Sequence, residues 1–191
     1  AAGSQLKIVA NYAVGFDNFD LPTLTSHNIL ATNTPDVLTE AVAEHAFALI
    51  MAISRRIVEA HKLTLTQSVG FGPSVLLGME LKGKTLGVLG LGKIGSRVAE
   101  IGKAIDMNIS YYDVKQNTEF EAKLGAQFKS TPAELLSTSD VVSVHVPLLE
   151  TTRHLINADL LRQMKKTAYL VNTSRGPVVD EAALVEALKS G

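Results

Sequence analysis

A glycine-rich turn constrains the fold of this chain more than any other feature of its sequence. The apolar run 85–89 leads into the pattern G-x-G-x-x-G, whose glycines are Gly90, Gly92 and Gly95. Apolar residues then recur at helical spacing over 94–105, which predicts an amphipathic helix. A strand that turns through three glycines into a helix is typical of a dinucleotide-binding βαβ unit.

Each glycine of this turn has a separate task in such a unit. Gly90 permits a tight turn, Gly92 lets the backbone approach a pyrophosphate, and Gly95 lets helix and strand pack closely. The helix N-terminus offers unpaired N–H groups and the positive end of its dipole to the phosphates. The glycine pattern alone is weak evidence, because glycines in a strand–helix turn can serve packing alone.

An acidic residue at the end of the next strand strengthens the interpretation. Asp113 follows Gly95 by 18 positions and closes the apolar run 108–112. Its carboxylate can accept hydrogen bonds from the hydroxyls of an adenosine ribose. A 2′-phosphate would face the same carboxylate at short range, so we expect NAD rather than NADP as the cofactor. The ammonium group of Lys115 would partly offset that charge.

The composition is that of an ordinary soluble protein. The chain has 191 residues, of which 46% are hydrophobic and 19% charged, and its net charge is −1. No basic block favours nucleic acid or an anionic membrane as a partner. The absence of cysteine excludes disulfides, thiolate metal sites and a cysteine nucleophile. No run approaches the ~18 apolar residues that span a bilayer, and residues 1–4 resemble no signal peptide, so we expect a cytoplasmic protein.

The alternation of strands and helices predicts the fold class. Strands are expected at 85–89, 108–112, 126–128, 141–144 and 168–171, with helices between them. One helix opens with a capping box of Thr131, Pro132 and Glu134. Near-continuous apolar strands separated by helices indicate an α/β fold with a Rossmann-type, doubly wound parallel sheet. Because such sheets normally have about six strands or more, we expect this one to be truncated at its C-terminal strands.

The first 80 residues are organised differently. Short strands are expected at 6–10 and 29–31, on either side of a short helix at 20–26. A long helix is predicted from about Leu38 to Leu63, apolar over most of its circumference. We place His45 among its packed residues, on the side that carries Ala41, Ala48 and Ala52. The expected divisions are a remnant of a second domain (1–35), a hinge or dimer helix (36–66), a loop (67–80) and an incomplete dinucleotide-binding domain (81–191).

Further candidate residues follow two other strands of the predicted sheet. His145, Val146 and Pro147 come after the strand at 141–144, and the stretch 172–176 contains Thr173, Ser174 and Arg175. Ligands of open α/β sheets bind at these carboxyl ends. The guanidinium of Arg175 suits a substrate carboxylate, or a carbonyl oxygen that gains charge during hydride transfer. The alternative is a surface arginine that pairs with a nearby acid.

Taken together, these stretches resemble the D-isomer-specific 2-hydroxyacid dehydrogenases, the family of glycerate, phosphoglycerate and glyoxylate/hydroxypyruvate oxidoreductases. The resemblance runs through nearly the whole chain. Its motifs are residues 14–20, 33–35 with 42–45, 90–95 with 112–113, 145–148 with 151–152, and 172–176 with 179–180. It implies a central fragment of a longer oxidoreductase, in which residues 1–35 belong to a flavodoxin-like substrate domain.

The resemblance also implies roles for particular residues. Arg175 matches the arginine that polarises the 2-keto group and orients the substrate carboxylate, and is the expected catalytic residue. Val14 and Gly15 match a loop whose backbone amides hold that carboxylate. The residues expected to line NAD are Gly90, Gly92, Lys93, Ile94, Gly95, Asp113, His145, Val146, Pro147, Thr173, Ser174 and Arg175. The implied assembly is a homodimer built around the predicted 38–63 helix.

The histidine that serves this family as general acid/base, and the glutamate that orients it, have no match in these residues. Glu44 and His45 are neighbours on a helix and point about 100° apart, so they cannot form that pair. His145 is expected to act through its backbone near the nicotinamide, and the solvated histidines are expected to be His27, His61 and His154. No two histidines have metal-ligand spacing, so no metal site is expected. We therefore expect the chain to bind NAD but to turn over 2-keto acids negligibly.

Two other functions stay open at this point. A non-catalytic, NAD-gated interaction protein, like the co-repressors that share this fold, would keep the glycine turn and the arginine, and fold alone does not settle function. A different Rossmann dehydrogenase is disfavoured by the stretch 172–176. The sequence does not name the keto acid.

Overall fold

Two parallel sheets organise the residues that the computed structural model describes, which are 5–66, 72 and 74–191. The strands are β1 (Ile8–Ala10), β2 (Leu30–Thr32), β3 (Thr85–Leu89), β4 (Asn108–Tyr112), β5 (Gln127–Phe128), β6 (Val141–Val144) and β7 (Tyr169–Asn172). The helices are α1 (Leu21–Ser26), α2 (Thr39–Ser54), α3 (Ile57–Thr66), α4 (Lys93–Ala104), α5 (Thr118–Leu124), α6 (Pro132–Thr138), α7 (Ala158–Gln163) and α8 (Glu181–Ser190).

The larger sheet has the strand order β5-β4-β3-β6-β7, and all its strands are parallel. From β3 the chain first builds outward through β4 and β5 and then returns to the other side of β3 to add β6 and β7. The switch in direction therefore lies between β3 and β6, and a ligand crevice is expected at their carboxyl ends. The predicted Rossmann-type parallel sheet is confirmed, with every strand within one residue of its expected bounds.

Helices cover both faces of this sheet and create two apolar cores. Helices α2, α4 and α5 contribute to one core, around Leu86, Val88 and Tyr111, and α6 and α7 contribute to the other, around Leu89 and Val142. The central strand β3 is buried from Leu86 to Leu89, which explains its nearly continuous apolar sequence. Because the core fixes β3 on both faces, it also fixes the turn that follows it.

The predicted continuous helix over 38–63 is wrong, because the structure has two helices there. Helix α2 ends at Ser54, and Arg56 adopts a left-handed conformation with φ of 53° before α3 begins. The backbone carbonyl of Ser54 accepts a hydrogen bond from the N–H of Met79 at 2.8 Å. A Cβ atom on Gly78 would collide with that same carbonyl. The returning chain at 78–79 thus takes over the acceptor that a continuing helix would need.

The face of α2 that packs also differs from the expected one. Its buried residues are Ala43, Ala46, Phe47, Ile50 and Ser54. His45 is exposed, as are Ala41 and Ala48, so the expectation that His45 is packed is wrong. His45 lies about 200° around the helix from Ala43. Apolar residues surround most of α2, so the sequence pattern did not determine which side faces the sheet.

The smaller sheet pairs β1 with β2 in parallel, connected through α1. Asp20 caps α1 by accepting a hydrogen bond from the N–H of Thr23 at 3.1 Å, within the predicted helix at 20–26. Strand β1 is shorter than the predicted strand at 6–10, and β2 is shifted by one residue from the predicted strand at 29–31. Among the described residues, none before Ala43 is buried. This unit thus contributes loops to the site but no part of the two cores.

Three further expectations concern the cap of α6, the loop at 67–80 and the presence of bilayer-spanning helices. Thr131 caps α6 by accepting from the N–H of Glu134 at 3.1 Å, as predicted, but the Glu134 carboxylate reaches back to the N–H of Ser130 at 3.0 Å. The expected loop at 67–80 lies partly outside the described residues, which lack 67–71 and 73. In the remainder of the chain, no helix combines the length and apolar character that crossing a bilayer requires.

Candidate functional site

The glycine turn after β3 is shaped by three different steric requirements. Gly90 has φ of 97°, and a Cβ atom there would lie 2.8 Å from the backbone nitrogen of Val146. A Cβ atom on Gly95 would collide with the carbonyl oxygen of Gly90, so α4 can pack against the turn only without one. A Cβ atom on Gly92, by contrast, would meet nothing within 4 Å. Two of the glycines therefore serve backbone packing, and the third borders open space.

The start of α4 presents unpaired donors to that space. Gly92 is the N-cap residue and supplies no side-chain cap. The N–H groups of Gly92, Lys93 and Ile94 donate to no group among the residues that the structure describes. The Lys93 side chain pairs with Asp36, and Ile94 packs against the core. Free N–H groups at the positive end of a helix dipole fit the pyrophosphate of a dinucleotide.

The Asp113 carboxylate lies against the glycine turn. One oxygen accepts from the N–H of Leu91 and the other from the N–H of Val114, both at 2.7 Å. An ionised carboxylate has about four acceptor positions, so capacity remains for ribose hydroxyls. A cavity of 480 Å³ adjoins it, lined by Leu91, Asp113, Lys115, Gln116, Asn117, Thr118 and Glu119. The arrangement suits the adenosine half of the cofactor.

A buried tyrosine is hydrogen-bonded to the loop that lines this cavity, and sequence reasoning missed it. The Tyr111 hydroxyl donates to Glu121 and accepts from the N–H of Asn117, each at 2.7 Å. Burial raises the pKa of Tyr111 to about 12, so the hydroxyl stays protonated. Gln116 donates to the same Glu121 carboxylate at 3.0 Å. The network ties the loop after β4 to the beginning of α5, and no sequence pattern marks it.

The residues after β6 meet the glycine turn directly. The close approach of Val146 to Gly90 brings His145, Val146 and Pro147 beside the turn. The His145 Nε2 atom lies 2.8 Å from the Ser143 hydroxyl. Burial lowers the pKa of His145 to about 4, so its imidazole is neutral at neutral pH. A neutral, half-buried imidazole fits a packing or hydrogen-bonding role better than that of a proton donor.

The turn after β7 is organised by Asn172. Its side-chain oxygen accepts from the N–H and the hydroxyl of Ser174 at 3.0 and 2.8 Å, and its amide donates to the Arg175 carbonyl at 2.9 Å. These bonds fix the path of the backbone just before the Arg175 side chain leaves it. The buried Thr173 hydroxyl has no hydrogen-bond partner in the described part of the chain. Such a group fits a site where a ligand supplies the missing bond.

Arg175 reaches the loop after β1, far away in sequence. A Cβ atom on Gly15 would collide with Nη2 of Arg175. Oδ1 of Asp17 accepts a hydrogen bond from Nε of Arg175 at 3.0 Å and forms an ion pair with Nη2 at 2.9 Å. The structure thus brings together the two stretches expected to hold a substrate carboxylate. It also pairs Arg175 with an acid, which was the alternative considered for it. The acid lies inside the loop expected to bind substrate.

Two asparagines hold the backbone of that loop. Asn33 donates to the carbonyl of Val14 at 2.8 Å, and Asn11 donates to the carbonyl of Gly15 at 2.6 Å. The N–H groups of Val14 and Gly15 have no acceptor among residues 5–66, 72 and 74–191. With the carbonyls fixed from one side, these N–H groups are available to an anion.

Several polar residues are not part of this constellation. His27, His61 and His154 are exposed as expected. His145 is bonded to Ser143 rather than to Arg175. In the ranges that the structure describes, no group of three or more His, Asp or Glu side chains is arranged to hold a metal ion.

Comparison with known proteins shows that this chain is similar to many members of one dehydrogenase family. Residues 47–191 match the family model described as D-isomer specific 2-hydroxyacid dehydrogenase, NAD binding domain. The chain is 52% identical to a glyoxylate reductase of Aeropyrum pernix and 49% identical to one of Thermofilum pendens, covering 98% and 100% of this chain and 57% of each relative. A solved D-lactate dehydrogenase from Aquifex aeolicus, complexed with NAD and lactic acid, superposes with a TM-score of 0.91 at 40% identity, over 97% of this chain and 55% of that one. The chain therefore spans little more than half the length of the proteins it resembles.

Proposed function

The chain belongs to the D-isomer specific 2-hydroxyacid dehydrogenase family and carries its NAD-binding domain, and from this membership we propose that its protein reduces a small 2-keto acid with NADH. Relatives at about half identity over 192 residues are glyoxylate reductases. We therefore propose glyoxylate, or a keto acid of similar size, as the substrate. Because the chain covers 57% of those relatives, the proposed activity is that of the whole protein.

The contact between Arg175 and the loop at Val14 and Gly15 is the observation that carries this proposal. It joins a guanidinium that follows β7 to two unpaired backbone N–H groups in the loop after β1. Such donors suit a molecule with a carboxylate next to a carbonyl group. A protein that used NAD only to control an interaction would also keep the arginine, but it would have no need of the unpaired N–H groups of Val14 and Gly15 beside it. No observation favours that alternative.

Each group of residues has a separate role in the proposed reaction. When bound, NADH supplies the hydride that reduces the carbonyl carbon of the keto acid. Arg175 donates hydrogen bonds to the carbonyl oxygen as it gains negative charge, and the N–H groups of Val14 and Gly15 hold the carboxylate. The glycine turn and Asp113 would hold the cofactor and fix its position relative to the bound keto acid.

Oxidation of NADH, followed by absorbance, tests the proposal in the protein that contains this chain. Glyoxylate should be reduced, with hydroxypyruvate and pyruvate as the comparison substrates. For residues 1–191 alone we predict NADH binding with little turnover, because no described histidine is hydrogen-bonded to Arg175. Failure of the whole protein to reduce any of these acids while it binds NADH would instead favour an NAD-gated interaction module.

We expect NADH to bind roughly 10 to 100 times more tightly than NADPH, a range that corresponds to one charge-assisted hydrogen bond. The Asp113 carboxylate gains a bond from a ribose hydroxyl and repels a 2′-phosphate. Competitive titration of the two cofactors measures the ratio. Asp113→Ser should bring the two affinities closer together.

Glu119→Gln is the matched control. Glu119 lines the same cavity, and its substitution removes one negative charge, as Asp113→Ser does. It should change the ratio much less than Asp113→Ser does. Tighter binding of NADPH to the wild-type chain, or equal effects of the two variants, would contradict the assignment of Asp113.

A homodimer that covers α2 and α3 is the proposed assembly. These helices expose Leu49, Met51, Ile53, Ile57 and Val58, an apolar surface that suits a second copy of the chain. Sedimentation should give twice the chain mass of 20.4 kDa, and Ile53→Lys should shift the molecule toward a monomer. Val114→Lys, at a 93% exposed valine outside this surface, should have no such effect. A wild-type monomer would refute the assembly.

A further inference from the structure

The Arg175 guanidinium is held from two directions. It has five N–H donors. Nε donates its hydrogen to Oδ1 of Asp17 at 3.0 Å, and Nη2 forms an ion pair with the same oxygen at 2.9 Å. Nη1 donates one hydrogen to the carbonyl of Ser174 at 3.0 Å. One hydrogen on Nη1 and both hydrogens on Nη2 have no hydrogen-bond acceptor among the described residues. Since the group is planar, the Nε–Nη2 edge is occupied by Asp17, and the Nη1–Nη2 end is the part left with donors to spare.

Asp17 lies in the same loop as the amides proposed to bind the substrate carboxylate. It lies two positions after Gly15, against which Nη2 of Arg175 packs. The loop itself is tied down by Asn11 and Asn33. One short loop thus fixes both the guanidinium and the free N–H groups of Val14 and Gly15, and the Asp17 carboxylate links the two sets of donors.

We propose that Asp17 is a positioning residue that holds Arg175 by its Nε–Nη2 edge and leaves the Nη1–Nη2 end to bind the keto acid. This inference rests on the proposed function. Asp17 itself touches neither substrate nor cofactor, since it acts through the guanidinium. The hydrogen bond from Arg175 holds the pKa of the Asp17 carboxyl below its usual range, so Asp17 is ionised at neutral pH and pairs with Arg175 as an anion.

An ordinary surface ion pair is the competing explanation, because the side chains of Arg175 and Asp17 are 39% and 33% exposed. Such pairs form and break freely and contribute little. Here the pair joins residues 158 positions apart, and the same guanidinium is also bonded to Ser174 and packed on Gly15. These additional contacts leave it little freedom, which is the property that a positioned catalytic group needs.

Nitrogen-15 NMR of the arginine Nε–H groups gives the first test, on the 191-residue chain without cofactor. Arg175→Lys identifies the Arg175 signal by its disappearance. Exchange of that Nε–H with water should be slow in the wild-type chain and at least roughly tenfold faster in Asp17→Asn and Asp17→Ala, because its acceptor is weakened or lost. No protected signal in the wild type, or unchanged exchange in both variants, would overturn the proposal.

Asp20→Asn is the matched control. Asp20 lies in the same segment and carries the same charge, but it bonds to Thr23 instead of Arg175. Asparagine caps helices about as well as aspartate, so α1 should remain intact. Exchange at Arg175 should not change in this variant, and acceleration equal to that in Asp17→Asn would point to a general effect of charge.

Calorimetric titration of oxamate, an unreactive analogue of a 2-keto acid, gives the second test in the presence of saturating NADH. Asp17→Asn should weaken oxamate binding about tenfold, since misplacement of a binding group by about 1 Å can cost up to 10²-fold, and should leave NADH affinity unchanged. Tighter oxamate binding would overturn the proposal, because it would identify Asp17 as a competitor of the substrate. If the wild-type chain binds NADH but no oxamate, the proposed function fails, and the exchange measurement alone decides whether Asp17 positions Arg175.

Discussion

Arg175→Ala should lower kcat/KM for glyoxylate by about 10² to 10³-fold in the protein that contains this chain, the range found when one donor to a developing oxyanion is removed. The residue offers its remaining donors at the end of the guanidinium that faces away from Asp17. Arg175→Lys should recover only part of the loss, because an ammonium group keeps the charge but not the planar fork. NADH affinity should change little, since the side chain contacts the loop at Gly15 and not the glycine turn.

Arg162→Ala is the control for this variant. Arg162 is exposed and pairs with Asp159 one helical turn away on the surface of α7, so its removal should leave turnover near the wild-type value. Steady-state kinetics with NADH held at saturation separates the effects on kcat and KM. An Arg175→Ala protein that retains more than about a tenth of the wild-type kcat/KM would rule out the assigned role.

Gly92→Ala should weaken NADH binding without changing stability, whereas Gly95→Ala should lower stability. A methyl group on Gly92 meets no protein atom, and the residue has φ of −70°, which alanine adopts freely. The variant should unfold at the wild-type temperature yet bind NADH roughly 100-fold more weakly, because the methyl group enters the space next to the free N–H groups and disrupts charge-assisted hydrogen bonds to the pyrophosphate. A methyl group on Gly95 collides with the carbonyl of Gly90. That variant should lose about 1–3 kcal/mol of unfolding free energy.

Thermal unfolding without cofactor, combined with NADH titration, distinguishes the two variants. Gly83→Ala is a useful reference, because a Cβ atom there also meets nothing within 4 Å but its φ of 73° strains alanine. It should destabilise the chain without changing NADH affinity in the folded state. Wild-type NADH affinity in Gly92→Ala would show that the pyrophosphate does not bind at this turn.

The sequence determined the larger sheet well because each of its strands is short, apolar and bounded by polar or glycine residues. The strand, glycine turn and helix at 85–105 occur as expected, and so does Asp113 at the end of β4. These features are local: each depends on a few neighbouring residues and on burial along one strand. The placement of Arg175 beside Gly15 was expected only from the family resemblance.

The features that sequence reasoning missed depend on contacts between distant parts of the chain. The division between α2 and α3 arises because Met79 binds the carbonyl of Ser54, and neither glycine nor proline marks the break. The packed side of α2 was misassigned because apolar residues occur all around it. The partnership of Asp17 with Arg175 depends on how the loop after β1 meets the turn after β7.

In the part of the chain that the structure describes, no residue before Ala43 is buried. This difference in burial affects which part of the protein opens first and in which order ligands bind. Segments with few buried apolar contacts open locally at a small free-energy cost, whereas the core of the larger sheet opens only with global unfolding. Amide hydrogens of β1 and β2 should therefore exchange with deuterium well before those of β3 and β6. The half of the site proposed to hold the cofactor should persist through such openings, whereas the loop proposed to hold the acid should open and re-form. We therefore expect a compulsory sequence of ligand addition, in which the dinucleotide binds first and the organic acid second.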